Sequence, residues 1–219
     1  MEDPLATLRV AYDDLGALAA SLSEEESWLP TGCRGWVVRD LVLHLLSDAQ
    51  RGLVALATPS DGPPDRDAVT YWVDAPSGDD PEFRNVRGTR TIASAYGLCS
   101  LVTAYVETSR AVVTLAGRTD RQVCLATQGH TLLAEDLVAT LAVEAAVHHL
   151  DLVTDLDRPG PGERPLALVR QTLDGLLGRP VPVGWDDTTY ALSGTGRRRL
   201  TPDESAALGE DAARLPLLS

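Results

Sequence analysis

The stretch Thr131 to Asp155 reads TLLAEDLVATLAVEAAVHHLDLVTD, and its periodicity decides the fold. Leu133, Leu137 and Leu141 recur at helical spacing and lead straight into Glu144 and His148. The spacing predicts one helix from about Thr131, ending near Asp157. Positions i and i+4 lie on one helical face, one above the other. A carboxylate and an imidazole therefore continue a stripe that leucines occupy one turn earlier. Burying an unpaired charge is costly, so a stripe facing a core turns ionic only where something offsets that cost. A divalent metal does so, and Glu with His is an ordinary ligand pair for zinc.

Toward the N-terminus the same periodicity recurs. Leu5, Leu8, Tyr12, Leu15, Leu18 and Leu22 predict a helix from residue 4 to about 23. A compact turn rich in Pro and Gly follows, Trp28 to Trp36. Its two tryptophans either anchor the turn to a core or wall a pocket. Val37 to about Thr58 reads as a second helix, with Asp40 in the first turn, where the helix dipole favours an acid. Leu41, His44, Leu45 and Asp48 share a face of it. His44 is either a core histidine or a ligand, and Asp48, one turn on, suits a hydrogen-bond partner in both cases.

Residues 58–88 form a long proline-containing loop, of the kind that often carries function. Val69 to Val73 within it reads as a short helical or extended piece, either a cover with Trp72 against substrate or a wrapping connection. Thr91 to Ala116 reads as a third long helix, with Cys99 packed on its small-residue side. Arg118 to Gly129 reads as a connector.

Arg158-Pro-Gly-Pro-Gly162 marks a boundary, so the expected division is a helical bundle over 1–157 and a small α+β domain over 158–219. In the latter, Pro165 to Gly178 reads as a helix. Val181 to Trp185, Thr188 to Leu192 and Arg197 to Leu200 read as short strands. Thr201-Pro-Asp-Glu204 opens a last helix with Thr as N-cap, Pro at N1 and Glu at N3. The fold class is mainly α.

Composition excludes several functions. The chain has 219 residues, 44% of them hydrophobic, and a net charge of -13. So acidic a chain is a poor partner for nucleic acid or an anionic membrane. All 19 basic residues are arginine, which excludes a Schiff-base or pyridoxal lysine. No uncharged apolar run of ~18 residues suggests a transmembrane helix. The acidic start Met-Glu-Asp-Pro lacks a signal-peptide pattern. Three cysteines without CxxC spacing fit a reducing cytoplasm.

His44, Glu144 and His148 together offer two nitrogens and one carboxylate from two helices, the way bundle cores build metal sites. Three protein ligands leave a fourth position open, as in catalytic zinc sites. His and carboxylate ligands also suit nickel, iron or cobalt. His149 points about 100° away from His148 and is not assigned to the metal. Asp151, i+3 from His148, is either a partner of that histidine or an exposed acid. Cys33 precedes the helix that carries His44 and reads as a buried free cysteine rather than a ligand.

At these residues the chain resembles a family. Trp28-x-Pro-Thr-x-Cys-x-Gly-Trp36-x-Val-Arg-Asp40-x-x-x-His44-Leu and Thr140-Leu-Ala-Val-Glu144-Ala-Ala-Val-His148-His-Leu-Asp151 are similar to the two metal segments of the mycothiol-dependent maleylpyruvate isomerase family, within the DinB-like four-helix bundles. Thr195-Gly-Arg-x-x-Leu-Thr and Arg214-Leu-Pro-Leu-Leu resemble the C-terminal part of many actinobacterial members, and the composition fits a high-GC actinobacterial coding bias. The resemblance implies a DinB-like bundle with His44, Glu144 and His148 as ligands of zinc or another divalent metal. It also implies mycothiol as thiol cosubstrate and an isomerase or transferase acting on a small electrophile. It implies a substrate-binding arginine in the C-terminal part, for which Arg197, Arg198 and Arg199 are the candidates. Val37 departs from the family's usual Ser or Thr cap, so a looser entry to the second helix is expected. A hydrolase of the same bundle with zinc hydroxide as nucleophile, and a bundle that binds metal or thiol without turnover, are the alternatives.

Overall fold

The computed structural model describes residues 3–73 and 86–218. Helix α1 spans Pro4–Ala20, α2 Val38–Leu56, α3 Val86–Ser94 and α4 Leu98–Ala116. A hairpin of β1 (Cys124–Thr127) and β2 (His130–Leu133) precedes α5, Ala134–Leu152. Three more helices follow: α6 at Glu163–Leu177, α7 at Asp187–Gly194 and α8 at Pro202–Leu208. The fold is mainly α, as the sequence indicates.

Four helices make the bundle. α1 packs against α4 and α5, and α2 packs against the same two, which closes a ring. The stripe Leu8, Ala11, Tyr12, Leu15 and Leu18 puts α1 on the core, each fully buried leucine contributing about 1.5–3 kcal/mol. Asp3 caps α1 by accepting from the Leu5 N–H at 3.3 Å, with Pro4 starting the helix. α5 has sixteen of its nineteen residues buried. A helix apolar on all sides belongs in the middle, and α5 accordingly contacts α1, α2, α6 and α7.

The entry to α2 is firm rather than loose. Val37 supplies no side-chain cap, but the Asp40 carboxylate accepts the Val37 N–H at 3.0 Å. Asp40 is fully buried and is paired with Arg90 of α3, at 2.6 Å to its Nη2. That pairing answers the cost of burying a carboxylate and fastens α3 to the start of α2.

Three expectations need correction. The third helix is not continuous over 91–116. It breaks at Tyr96-Gly97, where Gly97 in extended conformation becomes the N-cap of α4, and Arg39 takes the Tyr96 carbonyl at 2.8 Å. Cys99 is consequently exposed instead of packed. Second, α5 starts at Ala134, because 130–133 pair with 124–127. Gln128 (φ 46°) and Gly129 (φ 84°) both take positive φ, the two-residue turn that suits the twist of a hairpin. The chain after α2 lies along this hairpin, with Ser60 N–H on the Cys124 carbonyl at 2.8 Å and Ala126 N–H on that of Thr58 at 2.9 Å.

Third, the strands expected within 181–200 are not formed among the described residues. Thr188 to Leu192 lie in α7, where the Asp186 carboxylate caps the Thr189 N–H at 2.6 Å and overrides the β preference of Thr-Thr-Tyr. The turns around them follow the sequence. Gly178 closes α6 in the left-handed region at φ 80°. At α8, Thr201 and Glu204 bond each other's backbone N–H at 3.2 and 2.8 Å. Leu166, Val169 and Leu173 of α6 and Tyr190 of α7 join the same buried cluster as the bundle.

Val69 to Val73 contains a single 3-10 turn at Thr70–Trp72, with Trp72 buried. Residues 74–85 of the expected loop lie outside the described residues.

Candidate metal centre

α2 and α5 face each other in the ring, and the stripes found in the sequence meet there. Glu144 Oε1 lies 3.4 Å from His44 Nε2 and 3.3 Å from His148 Nε2. The three donor atoms lie within 4.8 Å of one another. The two imidazole rings meet edge to face at 4.7 Å between centroids. Trp36 packs on His44, 5.2 Å between centroids, and so borders the site. Trp28 does not: it is 47% exposed under the Arg39 guanidinium.

The electrostatics follow from this closeness. Burial works against ionising Glu144, but the charge of His148 and the bonds from both histidines outweigh it, holding the carboxyl well below its usual range. Burial likewise works against a charged His148. Neighbouring Cys33 and Glu144, and the bond to Asp151, win and raise it well above the ordinary value.

Asp151 stands behind His148. Its Oδ2 lies 2.9 Å from His148 Nδ1, so the imidazole donates there and turns Nε2 toward Glu144 and His44. Asp151 is 1% exposed. Burial raises its pKa, but the bond to His148 and the Arg197 charge pull it far below the usual carboxylate range. The Cys33 thiol donates to the same Oδ2 at 3.2 Å and lies 3.7 Å from His148 Nδ1. Cys33 is thus close to the site, on the side of His148 away from Glu144. A second donor group, Cys33, His148 and Asp151, comes together on that side.

Most other sequence candidates are engaged with partners outside the His44, Glu144 and His148 group. Asp48 bonds Arg51 at 3.0 Å, and among the described residues no hydrogen bond joins it to His44. Burial and the Glu144 charge raise its pKa. Arg197 is not open to substrate: both of its bonds at 2.7 Å go to Asp151. Arg198 is spent on Ser193 at 2.9 Å and on Glu204 at 2.5 Å. Arg199 is exposed. His149 turns away as its position requires and bonds the Pro159 carbonyl at 3.2 Å.

Two contacts near the site are not legible in the sequence. Tyr71 meets Trp72 edge to face, 5.1 Å between centroids, and accepts from Gln128 of the hairpin turn at 2.6 Å. Burial and the charges of Glu144 and Asp48 push its hydroxyl up to about 12, so the chain at 69–72 lies within reach of the site's field. The other is the pairing of Arg197 with Asp151, a contact between distant parts of the chain that local periodicity does not encode.

Compared with known proteins, the chain matches the family model described as the mycothiol maleylpyruvate isomerase N-terminal domain over residues 8–153. That span runs from within α1 to just past the end of α5 and includes every residue of the His44, Glu144 and His148 group. No curated protein matches, and no solved structure matches.

Proposed function

The chain belongs to the mycothiol maleylpyruvate isomerase N-terminal domain family, and from that premise we propose that it is a metal-dependent enzyme that activates a low-molecular-weight thiol. The thiol is mycothiol or a relative, and the substrate is a small electrophile that is isomerised or takes up the thiol. The observation that carries this reading is the convergence of His44 Nε2, Glu144 Oε1 and His148 Nε2 from two facing helices. Zinc is the ion we assign first, with nickel as the alternative.

Each residue then has a task. His44 and His148 bind through Nε2, and Glu144 supplies the negative charge that balances a dication. Asp151 fixes the His148 ring by accepting its Nδ1 proton. Trp36 closes one wall beside His44 and keeps water off it. When bound, a divalent ion lowers the pKa of a thiol from about 8.5, so that thiolate is present at neutral pH. Three protein ligands leave room for that thiol. We assign Trp72, with Tyr71 against it, to the electrophile. The reading requires a reducing, thiol-containing cytoplasm.

Elemental analysis and a thiol-transfer assay test it. Protein purified without chelator should carry about one divalent ion per chain, and His148→Ala should lose it. Incubation with a thiol and an activated alkene should give the thiol adduct or the isomerised alkene. Metal without either product favours a binding protein, and hydrolysis of an ester without thiol favours a hydrolase. Absence of metal, with no uptake of added zinc, ends the metal reading.

A further inference from the structure

Arg197 is a candidate for substrate recognition by sequence, but its surroundings give it another task. Its Nε and Nη2 meet the two oxygens of Asp151, each at 2.7 Å. This is the planar fork that arginine makes with a carboxylate and lysine does not. The guanidinium is itself held, with Nη1 on the Thr195 carbonyl at 3.0 Å. The backbone under it is fixed as well. Arg197 and Arg198 N–H both bond the Leu192 carbonyl, at 2.8 and 3.0 Å, in the turn that ends α7. Leu217 N–H comes back onto the Gly194 carbonyl at 2.8 Å.

The turn before α2 also closes on Asp151. Gly32 N–H bonds the Asp151 carbonyl at 3.0 Å. A β-carbon at position 32 would come within 2.3 Å of Asp151 Oδ1, so only glycine allows the approach. The carboxylate is thereby gripped between two distant segments. Its Oδ2 is left facing His148 Nδ1 at 2.9 Å.

We infer that Arg197 is a positioning residue for the metal histidine. It locks the Asp151 carboxylate, and the carboxylate locks the ring of His148. The segment after α7 is therefore part of the metal centre, although among the described residues no hydrogen bond or ion pair joins Arg197 to a proposed ligand, and the site is complete only with this segment docked on the bundle. The inference rests on the reading of His148 as a ligand.

Zinc affinity by chelator competition tests it in the full chain, with melting curves alongside. Arg197→Met should weaken zinc binding roughly 10- to 100-fold, the usual effect of losing an outer partner of a metal histidine. Arg197→Lys should recover part of the loss. Asp151→Asn should weaken binding to a like extent, and the double variant Asp151→Asn with Arg197→Met should be no weaker than Asp151→Asn alone. Unchanged affinity in Arg197→Met, or losses that add in full, would overturn the inference. Should Arg197→Met fail to fold, the lysine variant and the double variant decide, since neither leaves the buried carboxylate without its neutralising change. Lysine matching the parent in affinity then counts against the inference. Should the parent bind no zinc, the metal reading fails by itself. The positioning claim is then read from the His148 Nδ1 proton resonance in nitrogen-labelled protein. A shift in Arg197→Lys supports the claim, and an unmoved resonance overturns it.

Discussion

Gly52 of α2 lies so close to Leu141 of α5 that a β-carbon at position 52 would come within 2.9 Å of the Leu141 Cδ1. This contact sets the spacing of the two helices that carry the proposed ligands, two turns beyond His44 and about one turn before Glu144. Gly52→Val should push the helices apart, cost about 1–3 kcal/mol of stability through overpacking and weaken zinc binding. Gly52→Ala should be milder, since the end of a leucine side chain can shift and alanine gains about 1 kcal/mol in helix propensity. Denaturant unfolding and zinc titration of both variants check this. Full zinc affinity in the valine variant would show that the spacing is not set here.

Glu144→Gln separates a ligand from a general base. The change keeps size and an oxygen donor but removes the charge between the two imidazoles. Zinc affinity should fall by more than the ~10–100-fold typical of an outer partner, and excess zinc should restore part of the turnover. Full zinc occupancy with turnover abolished would instead identify Glu144 as a base.

Binding of a thiol ligand should alter the environment of Trp72. Trp72 is buried and packed edge to face with Tyr71, which feels the charges of Glu144 and Asp48. The Trp72 contribution to fluorescence, isolated by difference against Trp72→Phe, should shift on saturation with thiol and zinc. A signal that stays fixed at saturation would make 69–73 a plain connection.

Acid should weaken the cap of α8. The Arg198 side chain and the Thr201 N–H hold the Glu204 carboxyl down at about 2, against about 4.3 for an unfolded glutamate. A depressed pKa gives stability that is present above the unfolded value and lost as pH falls toward the folded one. The melting-temperature gap between the parent and Glu204→Gln should therefore be full near pH ~6 and narrow below pH ~4.3. A gap that is constant over this range would show that the carboxylate charge contributes nothing.

Much of this arrangement is legible in the sequence. Periodicity gives α1, α2, α5 and α6, and the shared inward stripes bring His44, Glu144 and His148 to one place. The caps at Thr201 and Gly178 are local chemistry, so they read directly. The hairpin at 124–133 is harder. Its turn is Gln128-Gly129, a weaker signal than Asn-Gly or Asp-Gly, and Thr131 to Leu133 extend a helical stripe equally well. At α7 the β-branched threonines point to a strand, while the Asp186 cap and packing on α6 decide for a helix. The role of Arg197 is not legible at all. Three arginines in a row look alike until the turn after α7 sends one to Asp151, another to Glu204 and leaves the third exposed.

Helix α5, buried over nearly its whole circumference, restricts how this protein can diverge. Random replacements there meet a packed neighbour on almost any side, so lineages should change α5 mainly through compensating pairs with α1, α2 or α6. The stretch from Thr58 to Val73 and the turn at Gln128-Gly129 contain many exposed positions and are free of that restraint. New substrate preferences should therefore arise by drift at this rim, while α5 carries the shared chemistry forward nearly unaltered. A library built to change specificity belongs at the rim.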